Sequence, residues 1–310
     1  KATERDSDAF LRYATMEIDG ALHSLKRSLA TAMYRDGTGS LAQSEDNPGG
    51  GTATMTLINA DDVVNFEVGM EIAFYDNGGA GGAPSTARSA NRIISAIDRN
   101  ATTNQLTFSV NIDAGVAYTD HLVQAGDLNS KVYGLEGWCP ATAPTSAVFF
   151  GVDRTADVTR LGGNRFDGSA LPIEEALIAG ASKVAREGGA PDVCFVDFNT
   201  FANLEKALGS KVVYDEAKAR DVDLGFAAIS IRGPRGTIKI VPDMNCQPNV
   251  AWMLQLDTWS LNTLGDAPMF LDLDNNRMLR ESAADAYEVR LGYYGNVACN
   301  APGYNCRIAL

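Results

Sequence analysis

The strongest constraint in this sequence is one long amphipathic helix. Between residues 6 and 35, Leu11, Ala14, Ile18, Ala21, Leu22, Leu25, Leu29 and Ala32 fall at the three-and-four spacing of a single helical face. Acids stand near its start (Glu4, Asp6, Asp8) and bases near its end (Lys26, Arg27, Arg35), as the helix dipole favours. At 1.5 Å per residue such a rod is roughly 40 Å long, enough to support a domain larger than itself. The pattern stops at Asp36-Gly37, within the stretch MYRDGTGSL. A glycine just past the last helical residue takes the left-handed conformation that ends a helix. A phosphate-binding loop instead has a strand before its glycines, a helix after them and a Gly-Lys-Ser/Thr end. Here the helix comes first and no lysine follows until Lys131, so the stretch reads as a helix stop.

The chain of 310 residues has room for two domains of ordinary size. Its 45% hydrophobic content is that of a globular protein, and no apolar run approaches the ~18 residues of a membrane span. The N-terminal KATERDSDAF has no signal-peptide core and no starting Met, so we expect a processed chain or a fragment of a longer product. A net charge of −13 argues against a nucleic-acid reader, because affinity for DNA rests on Lys and Arg neutralising phosphates. The five cysteines (Cys139, Cys194, Cys246, Cys299, Cys306) are odd in number and widely scattered. They read as mostly buried or free thiols rather than a disulfide framework, and they lack the close pairs and further ligands of a zinc site.

After a linker, NPGGG, residues 52 to 128 switch to short strands: TATMTLI, MEIAFY, RIISAIDR, QLTFSVNI and HLVQAGD, separated by turn clusters such as DNGGAGGAPS. This segment has nine Asp and Glu against three Arg and no Lys. It reads as a small acidic all-β module inserted between glycine-rich hinges. Residues 131 to 171 show little regular pattern. The stretch SALPIEEALIAGASKVAREGG then predicts a helix, with Pro172 at its start, Glu174 and Glu175 in the first turn and Gly188-Gly189 as its stop. Its Ala and Gly content predicts close packing against a flat partner. A buried strand (DVCFVD), a short helix at Asn199 to Leu208 and a run of strands to Leu310 follow, with a turn at GPRG. Runs of strands with a few helices predict an α+β fold.

Candidate chemistry is sparse. His23 and His121 lie in no nucleophile motif, and there is no GxSxG elbow. A Ser-His-Asp site assembled only in space would show as a deep pocket joining a histidine to a Ser and an Asp. Asp272, Asp274 and Asn276 resemble the start of a calcium loop, but the glycine of position six is Arg277 and the glutamate of position twelve is Ala283. A turn between strands is the better reading. The acidic pairs Glu174-Glu175 and Asp61-Asp62 do not compel catalysis, since neighbouring side chains on a helix diverge by about 100°.

Four stretches carry a family resemblance. The long helix ending in SLATAMYRDGTGS resembles the spine helix of tailed-phage major capsid proteins of the Hong Kong 97 fold. VAREGGAPDVCFVDFNTFANLEKAL is similar to the helix, strand and helix that enter the axial domain of that fold, and RGPRGTIKIVPDMNCQPNVAWMLQLDTWSL to the strands that leave it. RESAADAYEVRLGYYGNVACNAPGYNC resembles the paired strands that return to the peripheral domain. The resemblance implies an α+β capsid fold divided into a spine helix (1–46), an inserted β module (47–130), a peripheral linker and helix (131–189), an axial domain (190–262) and returning peripheral strands (263–310). It implies a structural protein without catalytic residues or cofactor. Copies would self-assemble as pentamers and hexamers into the icosahedral head of a tailed double-stranded DNA phage. Its setting would be the virion, after assembly in the bacterial host cytoplasm. Scaffold, portal and decoration proteins are the implied partners, and DNA is enclosed without sequence-specific binding. The charged loop KVVYDEAKARDVDLG is the candidate for axial subunit contacts through Lys211, Tyr214, Asp215, Glu216, Lys218, Arg220 and Asp221. The family also carries an N-terminal arm and a long hairpin loop ahead of the spine helix. If these are missing here, the chain alone is expected to form shells poorly, and the inserted module to face outward or brace a neighbour. Two alternatives stand beside this reading: an encapsulin-like nanocompartment shell, and an extracellular β-rich binding protein whose melting temperature would shift with calcium.

Overall fold

The computed structural model describes residues 7–48, 51–77, 83–100, 104–145, 148–209, 229–272, 279–280 and 287–310. Helix α1 spans Ser7–Tyr34, close to the length its periodicity predicts. It ends where expected: Gly37 and Gly39 both take positive φ, at 89° and 85°.

The chain then enters a β-barrel at once. Strands β1 (Ser40–Gln43), β2 (Thr54–Thr56), β3 (Glu71–Tyr75), β4 (Ala87–Asp98), β5 (Gln105–Phe108) and β6 (His121–Gln124) form one sheet in the order β1-β6-β3-β4-β5-β2, with every pairing antiparallel. A bridge between Ser44 and Leu57, with Glu45 N donating to Thr56 O and Ile58 N to Gln43 O, closes the last strand onto the first. Closure removes the free edges of a small sheet. Alternation supplies the interior: Met55, Leu106 and Phe108 point inward between half-buried neighbours, and Ile72, Phe74, Ile94 and Leu122 complete the core. Phe74 meets Phe108 edge to face, centroids 5.4 Å apart. The sequence places these strands well except for β1, which belongs to the barrel although the predicted module starts beyond it. SLAQ offers only Leu41 and Ala42 as apolar residues, directly after a helix stop.

The remaining elements follow: α2 (Leu135–Trp138), β7 (Val148–Phe149), β8 (Val152–Asp153), β9 (Asn164–Asp167), α3 (Ile173–Arg186), β10 (Val193–Val196), α4 (Phe198–Gly209), β11 (Ile229–Gly233), β12 (Gly236–Pro242) and β13 (Val250–Leu254). The chain ends with β14 (Trp259–Thr263), β15 (Met269–Phe270), β16 (Leu279–Arg280), β17 (Tyr287–Glu288), β18 (Leu291–Gly292), β19 (Gly295–Cys299) and β20 (Cys306–Ala309).

A second six-stranded sheet has the order β11-β12-β10-β13-β20-β9. Its centre is β13, VAWML, buried at every position. Ala251 and Met253 face a core shared with α3 and α4, among them Leu177, Val184, Cys194, Leu204 and Ile308. Val250, Trp252 and Leu254 face the opposite side, where Tyr34 at the end of α1 and Leu135 of α2 cover them. The sheet is thus the middle of three layers. The small residues of α3 do pack closely: a Cβ on Gly180 would lie 2.4 Å from Ile308 Cδ1. β9 was hidden in the stretch that looked irregular, since Asn-Arg-Phe-Asp has no apolar alternation to announce it.

Strands β14 to β19 form one long two-stranded ribbon, paired β14–β19, β15–β18 and β16–β17. It packs on α1 around Ala267, Tyr293 and β18, against Leu29, Ala32 and Met33. Among the described residues no helix is long and apolar enough to cross a membrane.

Two predictions test this framework. Gly134, where the chain crosses the end of α1, leaves no room for a side chain: a Cβ would meet Met33 O at 2.1 Å and Ala32 O at 2.4 Å. Gly134→Ala should cost about 1–3 kcal/mol in urea denaturation, because backbone cannot yield as a side-chain tip can. At the barrel mouth, Asp76 Oδ1 accepts the backbone N–H groups of Ser85 and Thr86, each at 2.9 Å. These bonds hold its carboxyl down at about 2. A depressed carboxylate stabilises the fold above its ordinary range, and that stability is lost as pH falls toward 2. Wild type should lose melting temperature over that interval, and Asp76→Asn should lose less of it.

Candidate functional site

The barrel, the sheet and α1 meet at the last turn of α1. Arg35 donates to Asp62 Oδ1 at 2.7 Å and to Leu41 O at 3.2 Å. Asp62 is buried, set by the short helical turn Ala60–Asn65 inside the barrel segment. Burial works against the Arg35 charge, but Asp62, Glu136 and Asp36 hold its guanidinium above the ordinary arginine range. Burial lifts Asp62 in turn, against the pull of Arg35. One residue earlier, Tyr34 OH donates to Asp243 Oδ2 at 2.9 Å, just past the end of β12. Burial first and Asp243 second raise that phenol, so it remains a donor at neutral pH. Asn199 Nδ2, in the first turn of α4, donates to Asp61 Oδ2 at 2.7 Å. Three polar links therefore fix barrel and sheet to each other and to the helix end.

A cavity of about 410 Å³ lies beside this junction, lined among others by Arg35, Asp36, Ser40, His121, Glu136 and Arg307. It does join a histidine to a serine: Ser40 Oγ is 2.7 Å from His121 Nδ1. The arrangement is not a nucleophile relay. A triad needs a carboxylate on the second ring nitrogen, and His121 Nε2 instead faces the Gln43 amide nitrogen at 3.4 Å. Burial pushes His121 below the ordinary histidine range, although Asp36, Asp120 and Asp76 pull the other way. It is a neutral imidazole placed among strand-end hydrogen bonds.

The other sequence candidates separate clearly. Lys211, Tyr214, Asp215, Glu216, Lys218, Arg220 and Asp221 lie outside the described residues, as do Asp274 and Asn276. Glu174 and Glu175 stand in the first turn of α3. The pair Asp61-Asp62 is the informative one: the two acids divide between α4 and Arg35 as structural anchors, a role no spacing in the sequence could signal. All five cysteines are buried and free. Burial pushes the Cys194 and Cys306 thiols up to about 12, which keeps them protonated and unreactive. No group of three or more metal-binding side chains occurs among the described residues.

Instead, the described surface offers faces for contact. Among the described residues the outer strands of the ribbon pair only with each other, and Leu264 near its bend is 85% exposed. A small hairpin, β7–β8, carries Phe149 and Phe150 against Trp138 and Tyr133. Phe150 sits at φ 47° with its ring still half-exposed. A bulky residue in the left-handed region is strained, and here ring stacking on Trp138 holds it.

This is a mixed α+β protein whose polar groups build joints and which leaves some apolar side chains, such as Leu264 and Phe150, exposed on its surface. The chain belongs to the SU10 major capsid protein family, which it matches over residues 59–280. That family is one of structural capsid proteins, not enzymes. Among solved structures, a chain of the cyanophage A-1(L) capsid asymmetric unit is similar, at 16% identity and a TM-score of 0.39. The match covers 60% of this chain and 59% of that one. No curated protein matches.

The junction makes a defined prediction. Asp62→Asn removes the acid bonded to the largely buried Arg35 guanidinium, leaving it Asp36, Glu136 and the Leu41 carbonyl, and should cost about 1–3 kcal/mol. Replacing both, as Arg35→Met with Asp62→Leu, should cost no more than the single change, because the two desolvation penalties vanish together while Glu136 keeps Arg307 and Gln247. Urea denaturation of the two variants measures the difference.

Proposed function

We propose that this chain is the major capsid subunit of a tailed double-stranded DNA phage and builds the icosahedral shell of its head. Membership of the major capsid family over residues 59–280 is the observation that carries this reading. The architecture supports it. A 28-residue helix serves as a rigid strut. A three-layer body sits at its C-terminal end, with a ribbon along its side and a closed barrel attached through polar links.

The finer reading is the Hong Kong 97 arrangement. In it, α1 is the spine and residues 190–262 lie at the capsomer axis. Residues 131–189 and 263–310 form the periphery, although β9 and β20 share a sheet with β10, β12 and β13. Residues 47–130 then belong to the inserted module, with β1 as its entry strand. The loop from Lys211 to Asp221 supplies contacts around the axis. Copies join as pentamers and hexamers in the host cytoplasm and end in the virion, with scaffold, portal and decoration proteins as partners. The mechanism is cohesion by number: each subunit makes several modest contacts at once, and together they hold where one would not. A net charge of −13 suits a wall that must not adhere to packaged DNA.

Negative-stain electron microscopy of the complete gene product, with any residues encoded upstream of Lys1, tests this function. Closed shells or capsomer rings are expected. A uniform field of small monomers at high protein concentration would overturn it.

A further inference from the structure

Charge is divided unevenly over this molecule. Residues 40–128, the barrel, hold eleven Asp and Glu against three Arg and no Lys. Those three arginines are already engaged: Arg88 with Asp120 at 3.6 Å, Arg92 with Asp113 at 2.8 Å, and Arg99 donating to Phe66 O at 2.9 Å. The β11–β12 hairpin, residues 229–242, is the reverse. It holds Arg232, Arg235 and Lys239 and no acid. All three are exposed, and none is in a salt bridge with a described residue. β11 is also the edge strand of its sheet, so the hairpin stands at a rim.

The acidic barrel also carries an apolar patch. Ile93 and Glu71 are partners across β3 and β4, and Ser109 N donates to Ile93 O, which brings Val110 alongside. Gly69 N donates to Ile94 O and sets Val68 on the same corner. Val68, Ile93 and Val110 are 63%, 49% and 59% exposed. Glu67 beside them is held by Arg27 at 2.7 Å, whereas Glu71 meets the neutral Asn91 amide and keeps its charge for a partner. An apolar centre with a charged rim is the anatomy of a contact surface.

The hairpin and the patch do not meet within one chain. The Asp243 end of β12 lies on the barrel side, bonded to Tyr34, while the turn at Pro234-Arg235 is at the other end of the strand. There Arg235 donates to Gly188 O, beyond the end of α3. A strand of this length separates the two ends by roughly 20 Å. Complementary faces that cannot close within a chain pair two copies head to tail, and such contacts generate rings or extended lattices rather than closed two-fold dimers.

We propose that the β11–β12 hairpin of one copy docks through Arg232 and Lys239 on the barrel patch of Val68, Glu71, Ile93 and Val110 of the next copy. The inference rests on the capsid reading and names one of its subunit contacts. Charge steers the approach and rejects wrong registers, and the apolar centre supplies the burial.

The test uses particles assembled from the complete gene product, with ¹⁵N-labelled and unlabelled copies mixed. A carbodiimide should join Lys239 to Glu71 between a heavy and a light copy, as read by mass spectrometry. Arg232→Glu with Lys239→Glu should lower particle yield by roughly tenfold or more. This pair leaves the Arg235 bond to Gly188 intact, and unchanged circular dichroism checks that the subunit folds. Adding Glu71→Lys with Val110→Lys in the same chain should restore the yield. Wild-type yield from the Arg232→Glu, Lys239→Glu variant, or labelled particles without the cross-link, would overturn the contact while leaving the capsid reading intact. Full particle yield with reduced packaged DNA would assign the hairpin to DNA and overturn it equally.

Discussion

The structure depends on how α1 ends. A long amphipathic helix has a stripe to bury, and nothing in its own geometry orients a second domain. The last helical residue and the one after it do that work through polar side chains. Tyr34 reaches Asp243 beside the sheet, and Arg35 reaches Asp62 beneath the barrel. The bonds point in different directions from adjacent residues, so the helix end acts as a corner piece. Leu29, Ala32 and Tyr34 meanwhile bury the stripe against the ribbon and the sheet. Apolar burial supplies most of the driving force, while the directional bonds fix the angle.

The choice of polar links at this corner has a physical logic. A purely apolar joint between barrel and body would tolerate sliding, because hydrophobic contact is not directional. A buried ion pair is weak evidence for added stability, since its desolvation cost rivals its attraction. It is stronger as a constraint on register, because any rotation that separates Arg35 from Asp62 leaves the Asp62 carboxylate buried without its cation. For a subunit that must present the same faces in every copy, a fixed angle is worth more than added cohesion.

Much of this was legible in the sequence, and the rest was hidden for identifiable reasons. α1, its glycine stop, α3 with its opening acids, and most barrel strands announced themselves, because each is a local pattern of period 3.6 or 2. The closure of the barrel did not. It rests on Ser44 meeting Leu57 and on β1, a four-residue strand with two apolar side chains. β9 was equally silent, since a polar strand is recruited by its parallel neighbour β20 rather than by its own pattern. The Arg35–Asp62 anchor joins residues 27 positions apart, at no spacing that local chemistry could mark. Asp61-Asp62 looked like a pair because it is adjacent in sequence, and the fold splits it between two different partners.

The same reasoning bears on surface against core. Closing the barrel removes its edges, and the charged residues of the β11–β12 hairpin guard one rim of the main sheet from accidental strand addition. The ribbon receives neither protection. A two-stranded ribbon is marginal by itself in water, and here its described part rests on α1 around Ala267, Tyr293 and β18. Leu264 and Phe270 stay exposed along it. A monomeric protein gains nothing from a long unprotected ribbon and faces aggregation because of it. A subunit that functions only among copies of itself has a use for such a surface, because the completed assembly buries what the isolated chain leaves open.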